Sequence, residues 1–176
     1  MASERRDLLD ESLGLDDDNE DTQANKYLFF KIGKESYGIG IKHIIEIIEL
    51  QHISAVPDMP LYVKGVINLR GKVIPIIDLR LRFNLEERQY DDRTCIVVNE
   101  IDRVLIGFIV DTVEEVIEIP ENQVEPPPKF KSSTGQDRYV SGLGKVGEAV
   151  KILLDVEQIV DDQAIREAGS VDVVSK

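Results

Sequence analysis

From Lys26 onward the chain alternates short apolar runs with small polar breaks. Tyr27-Leu28-Phe29-Phe30-Lys31-Ile32 is aromatic and β-branched, the composition of a strand. Gly33-Lys34-Glu35-Ser36 turns it back, and Tyr37-Gly38-Ile39-Gly40-Ile41 returns, which makes a hairpin. Ile41, Ile44, Ile45 and Ile48 have helical spacing, but so many isoleucines favour a short turn at Lys42-His43 and a strand from about Ile45. Val56-Pro57-Asp58-Met59-Pro60 is a turn cluster, and Leu61-Tyr62-Val63-Lys64 has room for one helical turn. The clearest hairpin follows. Gly65-Val66-Ile67-Asn68-Leu69 runs into Arg70-Gly71, where Gly71 supplies the positive φ of a tight turn, and Lys72 to Leu79 returns. Pro75 has no N–H to donate, which places it at a sheet edge or a bulge.

After a polar connector that reaches Tyr90, the same style resumes. Thr94 to Val98 and Arg103 to Val110 are strands around a turn at Asn99-Glu100-Ile101-Asp102. Asp111 to Ile119 has a strand pattern ended by Pro120. Pro126-Pro127-Pro128 is an extended polyproline-type stretch, and Phe130 to Arg138 is a polar loop. Val140 to Val146 and Ala149 to Leu154 form a last hairpin around Gly147. Asp155 can N-cap a helix that runs to about Glu167, with Gly169 after its end. Many short strands with glycine turns imply a mainly β protein built of small barrels. Each half is too small for a sandwich, so two barrels sharing a seam is the economical picture. They divide roughly before and after the connector at 84–93, with strands possibly exchanged. No strict sequence repeat links the halves.

Composition and charge refine this picture. With 42% hydrophobic and 31% charged residues, the chain can bury a core. The formal net charge of −13 is uneven: residues 1–25 hold nine acids against Arg5 and Arg6 and read as a solvated tail. Residues 163–176 form the end of the C-terminal helix and a second tail. An acidic surface with 6% aromatics and no tryptophan argues against nucleic acid and against anionic lipid. No apolar stretch approaches the roughly 20 residues of a membrane span, and Met1 to Asp10 lacks the apolar core of a secretory signal. A cytoplasmic protein without direct membrane insertion is expected. The single Cys95 agrees with a reducing compartment.

Candidate chemistry is sparse. His43 and His52 are in no metal-ligand motif, and Cys95 sits among apolar neighbours as a core thiol. Adjacent acids such as Glu114-Glu115 point to opposite faces of a strand and are poorly placed to share a proton. Gly142-Leu143-Gly144-Lys145-Val146-Gly147 has dinucleotide-type glycine spacing, but no helix follows it, so it reads as turn glycine. No catalytic or metal site and no cofactor is expected.

The run Gly65-Val66-Ile67-Asn68-Leu69-Arg70-Gly71-Lys72-Val73-Ile74-Pro75-Ile76-Ile77-Asp78-Leu79-Arg80 resembles the signature of the CheW family. Tyr37-Gly38-Ile39 with Glu46-Ile47, Val110-Asp111 with Val113, and Ser141-Gly142-Leu143-Gly144 with Ile152-Leu153 match in order. The resemblance covers about Lys26 to Val160, leaves both tails outside, and places the domain at 26–162. It implies two intertwined five-stranded SH3-like barrels with a short C-terminal helix, and a non-enzymatic adaptor of bacterial chemotaxis. Such an adaptor binds the cytoplasmic tips of methyl-accepting chemotaxis receptors and the regulatory domain of the histidine kinase CheA. It packs with the kinase into membrane-associated arrays through protein contacts, and the isolated protein is expected to be monomeric. Receptor-contacting family positions fall on Ile44, Glu46, Gly65 and Arg70. Arg70 would reach outward from its turn to a carboxylate or carbonyl. Glu46 would pair with Arg70 or bind the receptor directly. Ile44 would supply apolar contact or belong to the core, and Gly65 would admit a receptor backbone or bend its strand. Kinase contacts are assigned to Ile39 and Ile41.

Overall fold

The computed structural model describes residues 23–127, 136–163 and 165. Eleven strands form two sheets. β1 (Lys26–Ile32) and β2 (Glu35–Gly40) are the expected first hairpin. A one-turn 3-10 helix, Ile41–His43, leads into β3 (Ile44–Glu49). β4 (Val63–Leu69) and β5 (Lys72–Asp78) form the second hairpin, and α1 (Leu79–Arg82) follows directly. β6 (Cys95–Ile101) and β7 (Val104–Val110) form the third hairpin, and β8 (Thr112–Glu118) continues after Asp111. β9 (Val124–Glu125), β10 (Val140–Val146), β11 (Ala149–Leu154) and α2 (Val156–Ile159) complete the order.

The strands do not sort into the sheets by chain half. One sheet has the order β8-β1-β2-β11-β10-β9, the other β3-β6-β7-β5-β4. The first is therefore six-stranded, β9 adding a two-residue strand to the five expected. Each half contributes one hairpin to one sheet and its later strands to the other, so the connector after α1 does not separate the sheets. The junctions explain the exchange. Only Asp111 separates β7 from β8, and a hairpin needs about two loop residues to reverse within one sheet. The chain must instead cross to the neighbouring sheet.

Both sheets close on themselves. The segment leaving β3 returns at Ser54, whose N–H and C=O both bond Val66 of β4 at 2.9 Å, which joins the two edges of that sheet. In the other sheet β8 passes through a 3-10 turn, Glu121–Gln123, into β9, so its two edges are covalently continuous. Closure removes unpaired edges.

Three buried clusters follow. Alternate positions of the strands line each barrel: Phe29 and Leu153 with Ile119 in one, Ile74, Ile76, Ile96, Val98 and Ile109 in the other. The opposite faces, including Phe30, Ile77, Val97, Phe108 and Leu154, meet in the largest cluster, which is the seam between the barrels. Strands such as β6 and β7 are buried on both faces. This is why they read as unbroken apolar runs instead of alternating ones.

A repeat absent from a plain reading of the sequence emerges here. Tyr62, Val63, Gly65 and Asp78 recur at the same spacing as Tyr139, Val140, Gly142 and Asp155. The ladder shifts between Val63 and Gly65 and again between Val140 and Gly142. Asp78 accepts hydrogen bonds from the N–H groups of Arg80 (2.9 Å) and Leu81 (3.4 Å), and Asp155 from those of Glu157 (3.0 Å) and Gln158 (3.4 Å). Both aspartates thereby cap their helices.

Some local expectations change. The C-terminal helix is interrupted after Ile159, and Gln163 and Ile165 are again helical. Asp162 is held instead by Tyr62 and by Arg82, and the rest of the expected helix lies outside the described residues apart from 160–163 and 165. Pro75 is in a strand with neighbours on both sides, not at an edge, but pairing to β7 begins only at Ile76. Val63 starts β4 instead of sitting in a helical turn. Gly142 and Gly144 lie inside β10, so only Gly147 is turn glycine. The expected tails at 1–22 and 166–176 and the loop from Phe130 to Gly135 lie outside the described residues.

Candidate functional site

The β4–β5 hairpin ends in a two-residue turn. Arg70 and Gly71 have φ of +52° and +85°, and Leu69 pairs with Lys72. Two consecutive positive φ values give the turn whose twist matches a hairpin, at some steric cost to arginine. The Asn68 side-chain oxygen accepts from the Gly71 N–H at 2.9 Å and fixes the turn. Arg70 thus stands at the tip with its side chain 65% exposed, and its guanidinium donates to Glu46, whose side chain is 11% exposed.

Glu46 reaches the tip because β3 carries a bulge. Ile44 pairs with Asn99 and Glu46 with Val98, so Ile45 is the extra residue. Without it Ile44 and Ile47 would face opposite sides of the strand. With it both enter the seam, Ile45 turns outward at 45% exposure, and Glu46 approaches Arg70.

The structure therefore joins Glu46 to Arg70 and separates the other candidates from the surface. Ile44 is 4% exposed and belongs to the seam. Gly65 is buried with φ +142°, and a Cβ there would lie 2.0 Å from the Ser54 carbonyl oxygen. The backbone that its missing side chain admits is the chain's own. Ile39 and Ile41 are correspondingly seam residues, at 0% and 1% exposure, so their side chains are not surface contacts in this fold. Isoleucine-rich segments hide such assignments, because neighbouring isoleucines look alike until the bulge sets which one is outside. No local signal marks Ile45 as the exposed one.

Polar groups behind the tip hold the frame. Arg80 donates to Asp111 through Nε at 3.0 Å and through a terminal nitrogen at 2.7 Å. Asp111 also accepts from the Gly33 N–H at 2.7 Å and from Arg88 at 3.1 Å. Burial alone would raise the Asp111 carboxyl. The Arg80 guanidinium and the Gly33 N–H outweigh that and hold it below the usual carboxylate range. Asp111 is the link from β7 to β8, so this clamp ties the crossing point to α1 and to the β1–β2 turn. Tyr90 donates to the buried Asp78 at 2.6 Å and pins the connector; burial first and then this bond push the phenol well above its ordinary range. Arg82 is buried between Tyr62 and Tyr139, 4.6 and 5.1 Å from their ring centres, and its Nε donates to the Ile159 carbonyl at 2.8 Å.

Among the described residues no cluster of three or more His, Cys, Asp and Glu could hold a metal ion. No described helix is long and apolar enough to cross a membrane. A cleft of about 310 Å³ is lined by His43 and Lys42 together with Asp155 and Glu157. Burial and Lys42 lower the His43 pKa against the opposing pull of those carboxylates.

Comparison with known proteins gives a consistent result. The CheW-like domain profile matches residues 26–164. The chain is 35% identical over 156 residues to chemotaxis protein CheW of Klebsiella aerogenes, covering 89% of this chain and 92% of that protein. It is 36% identical over 165 residues to CheW of Helicobacter pylori, covering 90% and 97%. The crystal structure of scaffolding protein TtCheW from Thermoanaerobacter tengcongensis superposes with a TM-score of 0.73 at 33% identity, covering 80% of this chain and 95% of that one.

Proposed function

The chain belongs to the CheW family of chemotaxis scaffold proteins, and from this we propose that it links methyl-accepting chemotaxis receptors to the histidine kinase CheA. In this reading it is an adaptor without turnover. It reaches the membrane only through its partners and helps assemble the receptor–kinase array.

The observation that carries the receptor half of the reading is the Arg70–Glu46 pair. An ion pair this exposed at one end contributes little to folding, typically about 0–1 kcal/mol. Glu46 nevertheless orients the guanidinium and leaves its remaining donors facing outward. Such a preset fork suits a carboxylate or a carbonyl on a receptor helix. The kinase surface is left to other residues than Ile39 and Ile41, whose side chains are in the seam.

The test is a titration of intact protein and Arg70→Ala against a receptor cytoplasmic fragment and the kinase regulatory domain from the same organism. Arg70→Ala is expected to weaken receptor binding by about tenfold, the loss of one charge-assisted hydrogen bond, and to leave kinase binding unchanged. Folded protein that binds neither partner would sink the coupling reading. Equal receptor binding by both proteins would remove Arg70 from the site.

A further inference from the structure

The two barrels place the same bulge at equivalent positions. β3 flanks β6, the first strand of one hairpin, and β8 flanks β1, the first strand of the other. In β3 the ladder passes from Ile44↔Asn99 to Glu46↔Val98 and skips Ile45. In β8 it passes from Phe30↔Val113 to Phe29↔Glu115 and skips Glu114. Glu114 is what a solvent-facing bulge ordinarily accepts: it is exposed, and its carboxylate takes the Ser36 hydroxyl hydrogen bond. Ile45 occupies the equivalent position and is 45% exposed. The fold therefore does not require an apolar residue at this bulge, since the second barrel closes with a glutamate there. Yet the isoleucine stands next in sequence to Glu46, the residue that orients Arg70.

We propose that Ile45 is the apolar anchor of the receptor-docking surface and, with Arg70, sets its specificity. The inference rests on the coupling reading above. Its occupant is a receptor segment that presents an apolar side chain beside a carboxylate. The apolar group packs on Ile45 while the carboxylate meets Arg70. An apolar anchor beside a directed charged group is the usual composition of an interface hot spot. Ile44, the family position beside Ile45, lies inside the seam.

Ile45→Ala, Ile45→Glu and, as a control on the other barrel, Val150→Ala are compared with the unmodified full chain. Val150 is also an exposed apolar residue, at 60%. Each is titrated with the receptor cytoplasmic fragment and the kinase regulatory domain. Ile45→Ala is expected to weaken receptor binding about five- to tenfold, and Ile45→Glu by more than about tenfold. Kinase binding and the thermal midpoint should stay unchanged, the latter within about 2 °C, and Val150→Ala should bind both partners as the full chain does. Unaltered receptor binding by both Ile45 variants, with Arg70→Ala still impaired, overturns the anchor and spares the coupling reading. Absence of binding by the unmodified, folded chain overturns both. Equal losses for receptor and kinase, or a comparable loss from Val150→Ala, overturn the assignment of Ile45 to the receptor surface.

Discussion

The two repeats share a plan, and three of the differences between them bear on the site and the seam. Where the first has Arg70 at its hairpin tip, the second has Gly147, and where the first has an outward Ile45, the second has Glu114. The third difference lies between the capped helices: Arg82 in the first corresponds to Ile159 in the second, and the Arg82 guanidinium bonds the Ile159 carbonyl. Arg82 also stacks on both members of the repeated tyrosine pair, Tyr62 and Tyr139. It therefore touches both copies of the repeat. Ile159, at the equivalent position, is buried and apolar, and a second buried cation there would repel Arg82. The comparison teaches that topology is duplicated while chemistry is not. The seam holds one buried arginine, and one barrel tip carries one outward-facing arginine.

The comparison can be broken most severely at the paired glycines. Gly65→Ala places a Cβ 2.0 Å from the Ser54 oxygen at a φ of +142°, whereas the Gly142 position offers 2.9 Å to the Glu125 oxygen. Gly65→Ala should cost about 3 kcal/mol or more and Gly142→Ala about 1–2 kcal/mol, read by urea denaturation. Equal costs would mean that barrel closure at Ser54 is not the tighter of the two.

Next is the clamp at the crossing point. Asp111→Asn leaves the mostly buried Arg80 without its charge partner and should lose about 3 kcal/mol in a single transition that takes both barrels. Two separated transitions would show that the barrels fold independently despite the exchange. The native Asp111 carboxyl is held below its unfolded value of about 3.9, so its contribution is present above that pH. It should fade as pH falls through the lower folded value. A stability profile of the native protein that exceeds Asp111→Asn equally at all acid pH values would contradict this.

A smaller contrast separates the caps. Asp78 is buried and also receives the Tyr90 hydroxyl, while Asp155 is only half-buried. Asp78→Ala should cost about 2–3 kcal/mol against about 1 kcal/mol for Asp155→Ala, by thermal or urea unfolding. Arg70→Ala completes the series with less than about 1 kcal/mol, because the arginine end of the pair is largely exposed. A large stability loss there would show that the tip pair serves the fold instead of a partner.

Much of this was legible from residue pattern. The hairpins, the turn at Arg70-Gly71, the helix cap at Asp155 and the pairing of Glu46 with Arg70 all rest on short-range chemistry or on one motif. What stayed hidden was which isoleucine faces outward. Ile44 and Ile45 differ only by a bulge, and a bulge is set by the strand alongside, here at Asn99 and Val98.

The sequence by itself determined the strands, their turns, the acidic charge and the family, because each is written in contiguous residues. Only the tertiary structure decided that the halves exchange strands, that Gly65 is covered by Ser54, and that Ile39 and Ile41 are seam and Ile45 surface. Strands buried on both faces carry no periodic mark of which neighbour they will take. Their partners are settled by the short link at Asp111, by closure at Ser54, and by one shared core between two barrels.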